Sequence, residues 1–164
     1  MSRTTNKRNR KRGFSVEQAA AKQLRMLGLR MVEPIETGWR IIRDRNGKII
    51  NAFPVEKVSG DIRAIIPGGT SVLVEVKERD RNLRWSDFEA HQRDALTEHA
   101  ELGGVSLVMW LHNGWFYTFC WPIPNFGPRK SLSIENNSVF RLHLICQERI
   151  ANMISRFSEE TNEK

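Results

Sequence analysis

The stretch SGDIRAIIPGGTSVLVEVKERDRN, at positions 59 to 82, constrains the fold more than any other part of the chain. Apolar and polar residues alternate on both sides of a Pro-Gly-Gly turn, which is the pattern of a half-buried β-hairpin. Successive side chains of a strand point to opposite faces, so Leu73, Glu75 and Lys77 share one face and the intervening valines share the other. The second strand thus sets a carboxylate beside an amine, and Asp61 opens the first strand.

Around this hairpin, helical and strand patterns follow one another along the chain. Apolar stripes at helical spacing predict three helices, which cover about Val16 to Leu27, Ser86 to Glu101 and Leu144 to Phe157. Ser15 with Gln18 and Ser86 with Glu89 form capping boxes that predict the starts of the first two helices. Two more hairpins turn at Asn-Gly pairs, and they cover about residues 39 to 53 and 104 to 121. The order predicts an α/β or α+β layer with a mixed β-sheet flanked by helices. We expect one domain over residues 14 to 158, with a flexible tail at 159 to 164.

Positive charge is concentrated at the N-terminus. Of the net charge of +7, six units come from a cluster before the first acidic residue. These basic residues are Arg3, Lys7, Arg8, Arg10, Lys11 and Arg12. Residues 1 to 13 are therefore predicted to form a disordered basic arm that is attracted to a polyanion, with nucleic acid as the favoured partner. A solubilising tail or a nucleolar-type address is the alternative interpretation.

Cysteine usage and hydropathy indicate the compartment. Two cysteines, Cys120 and Cys146, argue against a disulfide framework and fit a reducing environment. The most apolar stretch, at 105 to 111, is too short to span a bilayer, and the N-terminus lacks the apolar segment of a secretory signal. We therefore expect a soluble protein of the cytoplasm, associated with the nucleoid or encoded by a phage, and no membrane partner.

The acidic residues of the hairpin suggest a metal site. Asp61 and Glu75 lie on adjacent strands, and two carboxylates that converge repel each other unless a cation lies between them. Oxygen ligands of this kind suit magnesium, with manganese as a substitute, and Lys77 lies close enough to act on a metal-bound water. The alternative is an exposed ladder of solvated charges. Two helix residues would matter beside such a site: Gln92, within the apolar stripe of the second helix, and Glu17, at the edge of the first. Otherwise Gln92 would form a hydrogen bond with the backbone, and Glu17 would stabilise the helix dipole.

The ordered series Glu17, Asp61, Glu75-Val76-Lys77 and Gln92 resembles the PD-(D/E)XK nuclease superfamily. Within it, the chain is most similar to Holliday junction resolvases of the RecU type. The segments RGFSVE at 12 to 17, DFEAHQRDAL at 87 to 96, GGVSLVMW at 103 to 110 and RKSLS at 129 to 133 carry the likeness further. Gly60 stands where these nucleases usually have a proline before the first aspartate. The resemblance implies a restriction-endonuclease-like core with a protruding β-hairpin at about 39 to 53.

The resemblance also implies roles for individual residues. Asp61, Glu75 and the Val76 carbonyl would bind the magnesium ion, Lys77 would position the attacking water, Gln92 would steady Lys77, and Glu17 would assist the metal. The residues expected to bind DNA are Lys7, Arg8, Arg10, Lys11, Arg12, Arg43, Arg45, Lys48, Arg129 and Lys130.

These roles describe a homodimeric, magnesium-dependent endonuclease that is selective for branched DNA and resolves four-way junctions. Two alternatives stay open: a nuclease of the same fold that acts on flaps, ends or linear DNA, and a non-catalytic DNA-binding protein of that fold.

Overall fold

The computed structural model describes residues 3–35, 39–54, 60–135 and 137–162. Its helices are α1 (Arg3–Met26), a short 3-10 helix (Trp85–Asp87), α2 (Ala90–Glu101) and α3 (Asn137–Asn162). Its strands are β1 (Arg30–Pro34), β2 (Trp39–Arg43), β3 (Ile49–Pro54), β4 (Ile62–Ile66), β5 (Thr70–Glu78), β6 (Leu83–Arg84), β7 (Val105–His112), β8 (Trp115–Cys120) and β9 (Ser131–Leu132).

A five-stranded mixed sheet forms the centre of the fold. Its strand order is β1-β4-β5-β7-β8, in which β5 and β7 are parallel and the other neighbours are antiparallel. The parallel pair requires a crossover, and α2 supplies it between β5 and β7. Helices flank the sheet, so the predicted mixed α/β architecture is confirmed.

The alternation read from β5 assigns its two faces. Val72 and Val74 point into one core, where they meet α1 through Leu24 and α3 through Ile150. Leu73 points into a second core, which contains Leu96 of α2 together with several aromatic rings. Both faces of the sheet are therefore covered, and Glu75, which shares the face of Leu73, is only 1% exposed. A carboxylate at that position cannot be a solvated surface charge.

The first helix corrects the sequence-based prediction at its start. The backbone of residues 3–13, which we expected to be disordered, continues α1 as helix in place of a start at Val16. Lysine and arginine are good helix formers, and extending an existing helix costs far less than nucleating one. The predicted capping box at Ser15 and Gln18 therefore does not begin the helix. The division of the chain into arm, nuclease domain and tail stays a prediction.

The other two helices also differ at their ends. The second helix begins at Ala90 with Glu89 as N-cap, after the 3-10 turn, so the predicted capping box at Ser86 is wrong. Gln92 takes the N3 position of the observed box, and its side chain accepts the Glu89 amide. The third helix spans Asn137–Asn162, which extends the predicted helix in both directions and includes most of the tail that we expected to fray.

The two cysteines contradict the argument against a disulfide. Cys120 ends β8, Cys146 lies on α3, and the structure pairs them across a Cα–Cα distance of 5.6 Å. Sequence spacing gave no sign of this, since the residues are 26 positions apart and meet only because α3 packs on β8. Within the described ranges, no helix is long and apolar enough to cross a membrane.

The hairpin predicted at 39 to 53 is present as β2 and β3, which form a two-stranded sheet of their own. Asp44 organises its turn by accepting hydrogen bonds from the amides of Asn46 and Lys48, each at 2.9 Å. The side chains at 41–51 are exposed, apart from a half-buried Asp44. The hairpin thus presents a basic tip outside the main sheet.

A chain of hydrogen bonds fastens the end of α2 to the sheet. The His99 ring bonds Ser71 of β5 at 3.0 Å through Nε2 and Ser106 of β7 at 2.9 Å through Nδ1. Ser106 in turn donates to the Leu96 carbonyl, so His99 holds α2 against two strands. Gly104 packs directly on this ring: a Cβ there would lie 2.3 Å from His99 Cε1.

Replacing Gly104 with alanine should therefore destabilise the protein. The new methyl group would push the His99 ring off its two serine partners, and overpacking of this kind costs about 1–3 kcal/mol. Urea unfolding measures the change, with Gly127→Ala as the matched control because a Cβ at Gly127 meets no atom within 4 Å. Equal stability of the two variants would show that the ring moves aside freely.

Candidate active site

A cleft of about 470 Å³ opens at the end of the sheet where β4 begins and β5 ends. It brings together the five side chains that the sequence singled out for catalysis. Its lining comprises Val16, Glu17, Asp61, Glu75, Val76, Lys77, Glu78, Arg79, Asp80 and Gln92. They come from α1, from the start of β4, from the end of β5 and from α2, so the cleft depends on the packing of the whole domain.

Asp61 is fixed at the mouth of β4 by the strand next to it. Its backbone N–H donates to the Val74 carbonyl at 2.7 Å, and its Oδ2 accepts the Val76 amide at 2.7 Å. Gly60 makes this approach feasible, because it has a φ of +80° and a Cβ there would lie 2.5 Å from Leu73 Cδ1. Proline, which is locked near −65°, cannot adopt that φ. The departure from the usual proline therefore follows from this backbone geometry.

Glu75 is the most deeply buried charged side chain of the cleft. Its Oε1 accepts a hydrogen bond from Gln92 Nε2 at 2.5 Å and contacts Lys77 Nζ at 2.7 Å. Its Oε2 is buried and has no hydrogen-bond partner among the residues that the structure describes. Burial, with Asp61 nearby, raises the pKa of Glu75 to about 7 despite the attraction of Lys77. An unpartnered carboxylate oxygen carries a desolvation cost that a bound cation would remove.

Gln92 links the lysine to the carboxylate. Its Oε1 accepts from Lys77 Nζ at 3.0 Å and from the Glu89 amide at 3.0 Å, while its Nε2 donates to Glu75. The amide orientation is thus fixed by three partners. Lys77 is held between Glu75 and Gln92 and lies 5.1 Å from the centroid of the Phe88 ring.

Glu17 approaches the site from α1. Burial, and secondly the charge of Asp61, raises the pKa of Glu17. Burial likewise raises the pKa of Asp61, although the Val76 amide and Lys77 lower it in part. Three carboxyl groups that each resist ionisation thus share one cleft, which is the signature of acids gathered for a cation or for proton transfer.

The donor set fits a magnesium ion. Magnesium is bound through one or two carboxylates and keeps several waters, and Asp61 together with the unpartnered Oε2 of Glu75 supplies two carboxylates. Within the described part of the chain, no group of three or more His, Cys, Asp or Glu side chains is placed to hold a metal ion. The two carboxylates are oxygen donors, which suit magnesium better than zinc.

Those residues predicted to bind DNA whose side chains the structure describes do not line this cleft. Arg43, Arg45 and Lys48 are exposed at the hairpin tip. Arg129 and Lys130 line a second cleft of about 330 Å³ beside Arg84 and Trp85. The side chains of the N-terminal basic cluster lie outside the described residues.

Sequence reasoning missed several lining residues. Glu78, Arg79 and Asp80 directly follow the predicted motif; Glu78 is the last residue of β5, and the other two follow the strand. Arg79 is anchored by Asp87, which accepts from its Nε at 3.3 Å. No sequence signal identified Asp87, because its partners come from a loop without periodicity.

No protein-family model matches the chain, and no curated protein matches it. Among solved structures, it is similar to Archaeoglobus fulgidus Hjc, a Holliday junction resolvase from an archaeal hyperthermophile. The two are 19% identical, the match covers 66% of this chain and 72% of that one, and the TM-score is 0.42. A likeness of that size leaves the function to be argued from the residues of the chain itself.

The raised pKa of Glu75 predicts how the stability of the metal-free protein depends on pH. Between pH 4.5 and about 7, the folded protein retains a proton on Glu75 that the unfolded chain releases. The contribution of Glu75 to the free energy of unfolding therefore falls as the pH rises through this range. His99 and His143, whose pKa values are lowered by burial, act in the opposite direction. The difference between wild type and Glu75→Gln isolates the carboxyl group.

Urea unfolding in a chelator at several pH values measures that difference. Relative to Glu75→Gln, the wild type should lose on the order of 2 kcal/mol across the window. A difference that does not change with pH would mean that Glu75 is ionised and satisfied without metal.

Proposed function

We propose that this chain is a magnesium-dependent, structure-selective DNA endonuclease that cleaves branched DNA, with the four-way junction as its preferred substrate. The observation that carries the proposal is the buried group of Asp61, Glu75 and Lys77, in which Glu75 Oε2 has no partner among the described residues. Burying a carboxylate without satisfying it is costly, so a chain that keeps one in an open cleft has a use for it.

Asp61 and Glu75 would hold the metal, with the Val76 carbonyl as a backbone ligand. When bound, magnesium lowers the pKa of a coordinated water and offsets the charge of a phosphodiester. The raised pKa values of both carboxyl groups would return toward normal on binding, because a cation favours their ionised forms.

Lys77 would orient the attacking water and stabilise negative charge on the phosphate. Its ammonium group lies 2.7 Å from Glu75 and 3.0 Å from Gln92. It would therefore be within reach of a water bound to a metal at Glu75. Gln92 acts through Lys77 and Glu75, so it is a positioning residue. Glu17 would assist through water at the rim of the cleft, where burial and the charge of Asp61 raise its pKa.

Binding and assembly follow from charge and symmetry. The net charge of +7 would draw DNA to the protein, and the exposed hairpin tip would read its shape. Nicking two opposed strands of a junction needs two cleavage sites, so the proposed active form is a two-fold homodimer.

Two other candidates are separated from this one by a single assay. Purified protein is incubated with four-way junction, flap, nicked and linear DNA, each with magnesium and with chelator. Paired cuts in the junction support the proposal. Cleavage confined to flaps, ends or linear DNA favours a nuclease of the same fold, and binding without cleavage of any substrate favours a DNA-binding protein.

Asp61→Asn should abolish cleavage and leave DNA affinity within a few-fold of wild type. Asparagine keeps an oxygen for the Val76 amide, so the fold is preserved while a charged metal ligand is lost. The matched control is Asp94→Asn, which changes an exposed acid of α2 and should cleave normally. If binding is lost together with cleavage in a folded Asp61→Asn protein, Asp61 contacts DNA or supports structure instead.

The hairpin and the basic arm should contribute differently to binding. Changing Arg43, Arg45 and Lys48 to alanine should lower the ratio of junction to duplex affinity, because a protruding hairpin reads shape. Deleting residues 1 to 11 removes five basic side chains and should weaken binding to all DNA alike, with the slope of log affinity against log salt reduced by up to ~4.5, or about 0.9 per contact. The ratio of junction to duplex affinity is compared among the variants at one fixed salt concentration, and the slope is measured over a series of salt concentrations. A hairpin variant with the wild-type ratio would remove the support for junction preference.

A further inference from the structure

The loop from Arg79 to Asp87 is built around one carboxylate. Asp87 accepts from Arg79 Nε at 3.3 Å, from Arg81 Nη1 and Nη2 at 2.9 and 2.5 Å, and from the Arg84 amide at 2.7 Å. Its side chain is only 6% exposed. Burial opposes ionisation of Asp87, but the hydrogen bonds from Arg81 and from the Arg84 amide outweigh it and lower its pKa to about 2. Asp87 thus organises a segment that lies outside the five-stranded sheet.

The two ends of this loop reach different clefts. Arg79 lines the active-site cleft, and its Nη1 is also fixed by the Glu78 carbonyl at 2.7 Å. Arg84 lines the second cleft, which lies beside the β6–β9 ladder and also contains Arg129 and Lys130. Asp87 accepts hydrogen bonds from the Arg79 side chain and from the Arg84 backbone, so it links one lining residue of each cleft.

The second cleft has the chemistry of an anion site. Three of its lining residues are cationic and none is acidic. Its aromatic residue, Trp85, is already stacked on Trp121 at 5.6 Å and lies under the Arg93 guanidinium at 5.0 Å. The indole is therefore engaged in packing, and a phosphate suits the cleft better than a stacked base.

We propose that Arg79, Arg84, Arg129 and Lys130 form a phosphate track, which binds successive phosphodiesters of the DNA strand that leaves the active-site cleft, and that Asp87 positions this track. The proposal rests on the proposed function and deepens it, since it names the path of the strand. Asp87 fixes the guanidinium group of Arg79 and the backbone of Arg84, and a guanidinium group fixed by a carboxylate loses less conformational entropy when it binds a phosphate.

The track is tested first by charge removal. Arg84, Arg129 and Lys130 are changed together to alanine, and DNA affinity is measured in chelator at several salt concentrations, so that cleavage plays no part. The slope of log affinity against log salt should fall by ~2.7, at about 0.9 per contact. The matched control changes Arg141, Arg149 and Arg156, which are exposed on α3, and should leave the slope near wild type. Equal slopes for the two triple variants would overturn the track.

Asp87 is tested by the sign of its effect. If it acts only as a negative charge, Asp87→Asn should strengthen DNA binding, as Asp94→Asn should do slightly. If it positions the arginines, Asp87→Asn should weaken binding by about three- to tenfold, the value of one charge-assisted contact. Thermal unfolding of each variant identifies any loss of fold, and Arg81→Ala, which removes one partner of Asp87 outside both clefts, provides a milder version of the same change. Tighter binding by folded Asp87→Asn would overturn the positioning role.

These binding measurements separate the track from the nuclease proposal. If the wild type cleaves no DNA, but the salt slope is lower in the Arg84, Arg129 and Lys130 variant than in the wild type, the phosphate track is supported and the nuclease proposal is refuted. If the wild type cleaves DNA and the variant has the same salt slope as the wild type, the phosphate track alone is refuted.

Discussion

The contact between Glu75 and its neighbours is the constraint on which the rest of the site depends. Glu75 lies on the central strand β5, so the helices on both sides of the sheet exclude water from it. Among the described residues, partners are found for one of its oxygens, which contacts Lys77 and Gln92. In this low-dielectric position a charge must find a partner or accept a proton, and the raised pKa of Glu75 shows that the protein alone does not fully compensate it.

The same constraint explains why the surrounding elements must pack as they do. Gln92 reaches Glu75 only because α2 begins at Ala90 and its first turn faces the end of β5. That placement is secured at the opposite end of α2 by His99, which bonds Ser71 and Ser106. A change near Gly104, remote from the cleft, would therefore alter stability and the position of Gln92 together.

The sequence predicted those parts of the structure that follow a period. Alternation in β5 identified the shared face of Glu75 and Lys77, and the Asn-Gly turns located both other hairpins. It did not predict features that arise from contact between distant segments. Neither the pairing of Cys120 with Cys146 nor the anchoring of Arg79 by Asp87 leaves a trace in local pattern. The predicted helix ends were wrong for a related reason. A capping residue such as Ser15 stabilises a helix start by only about 1 kcal/mol, and α1 extends past Ser15 because lengthening an existing helix costs little.

The overall charge of the chain and the charge of the cleft have opposite signs, so different residues would attract DNA and cleave it in the proposed endonuclease. The chain carries a net charge of +7, yet among the residues whose side chains the structure describes, the cleft is lined by five acidic and two basic ones. Those residues are Glu17, Asp61, Glu75, Glu78 and Asp80 on one side and Lys77 and Arg79 on the other. A phosphodiester drawn to the basic surface would thus meet repulsion at the cleft itself unless a divalent cation were bound there. In the proposed endonuclease, basic side chains outside the cleft would supply DNA affinity without metal, whereas seating the reactive phosphate would require a metal ion. A protein built this way would bind DNA in chelator and cut it only when the acids are neutralised, so unoccupied copies would leave DNA intact.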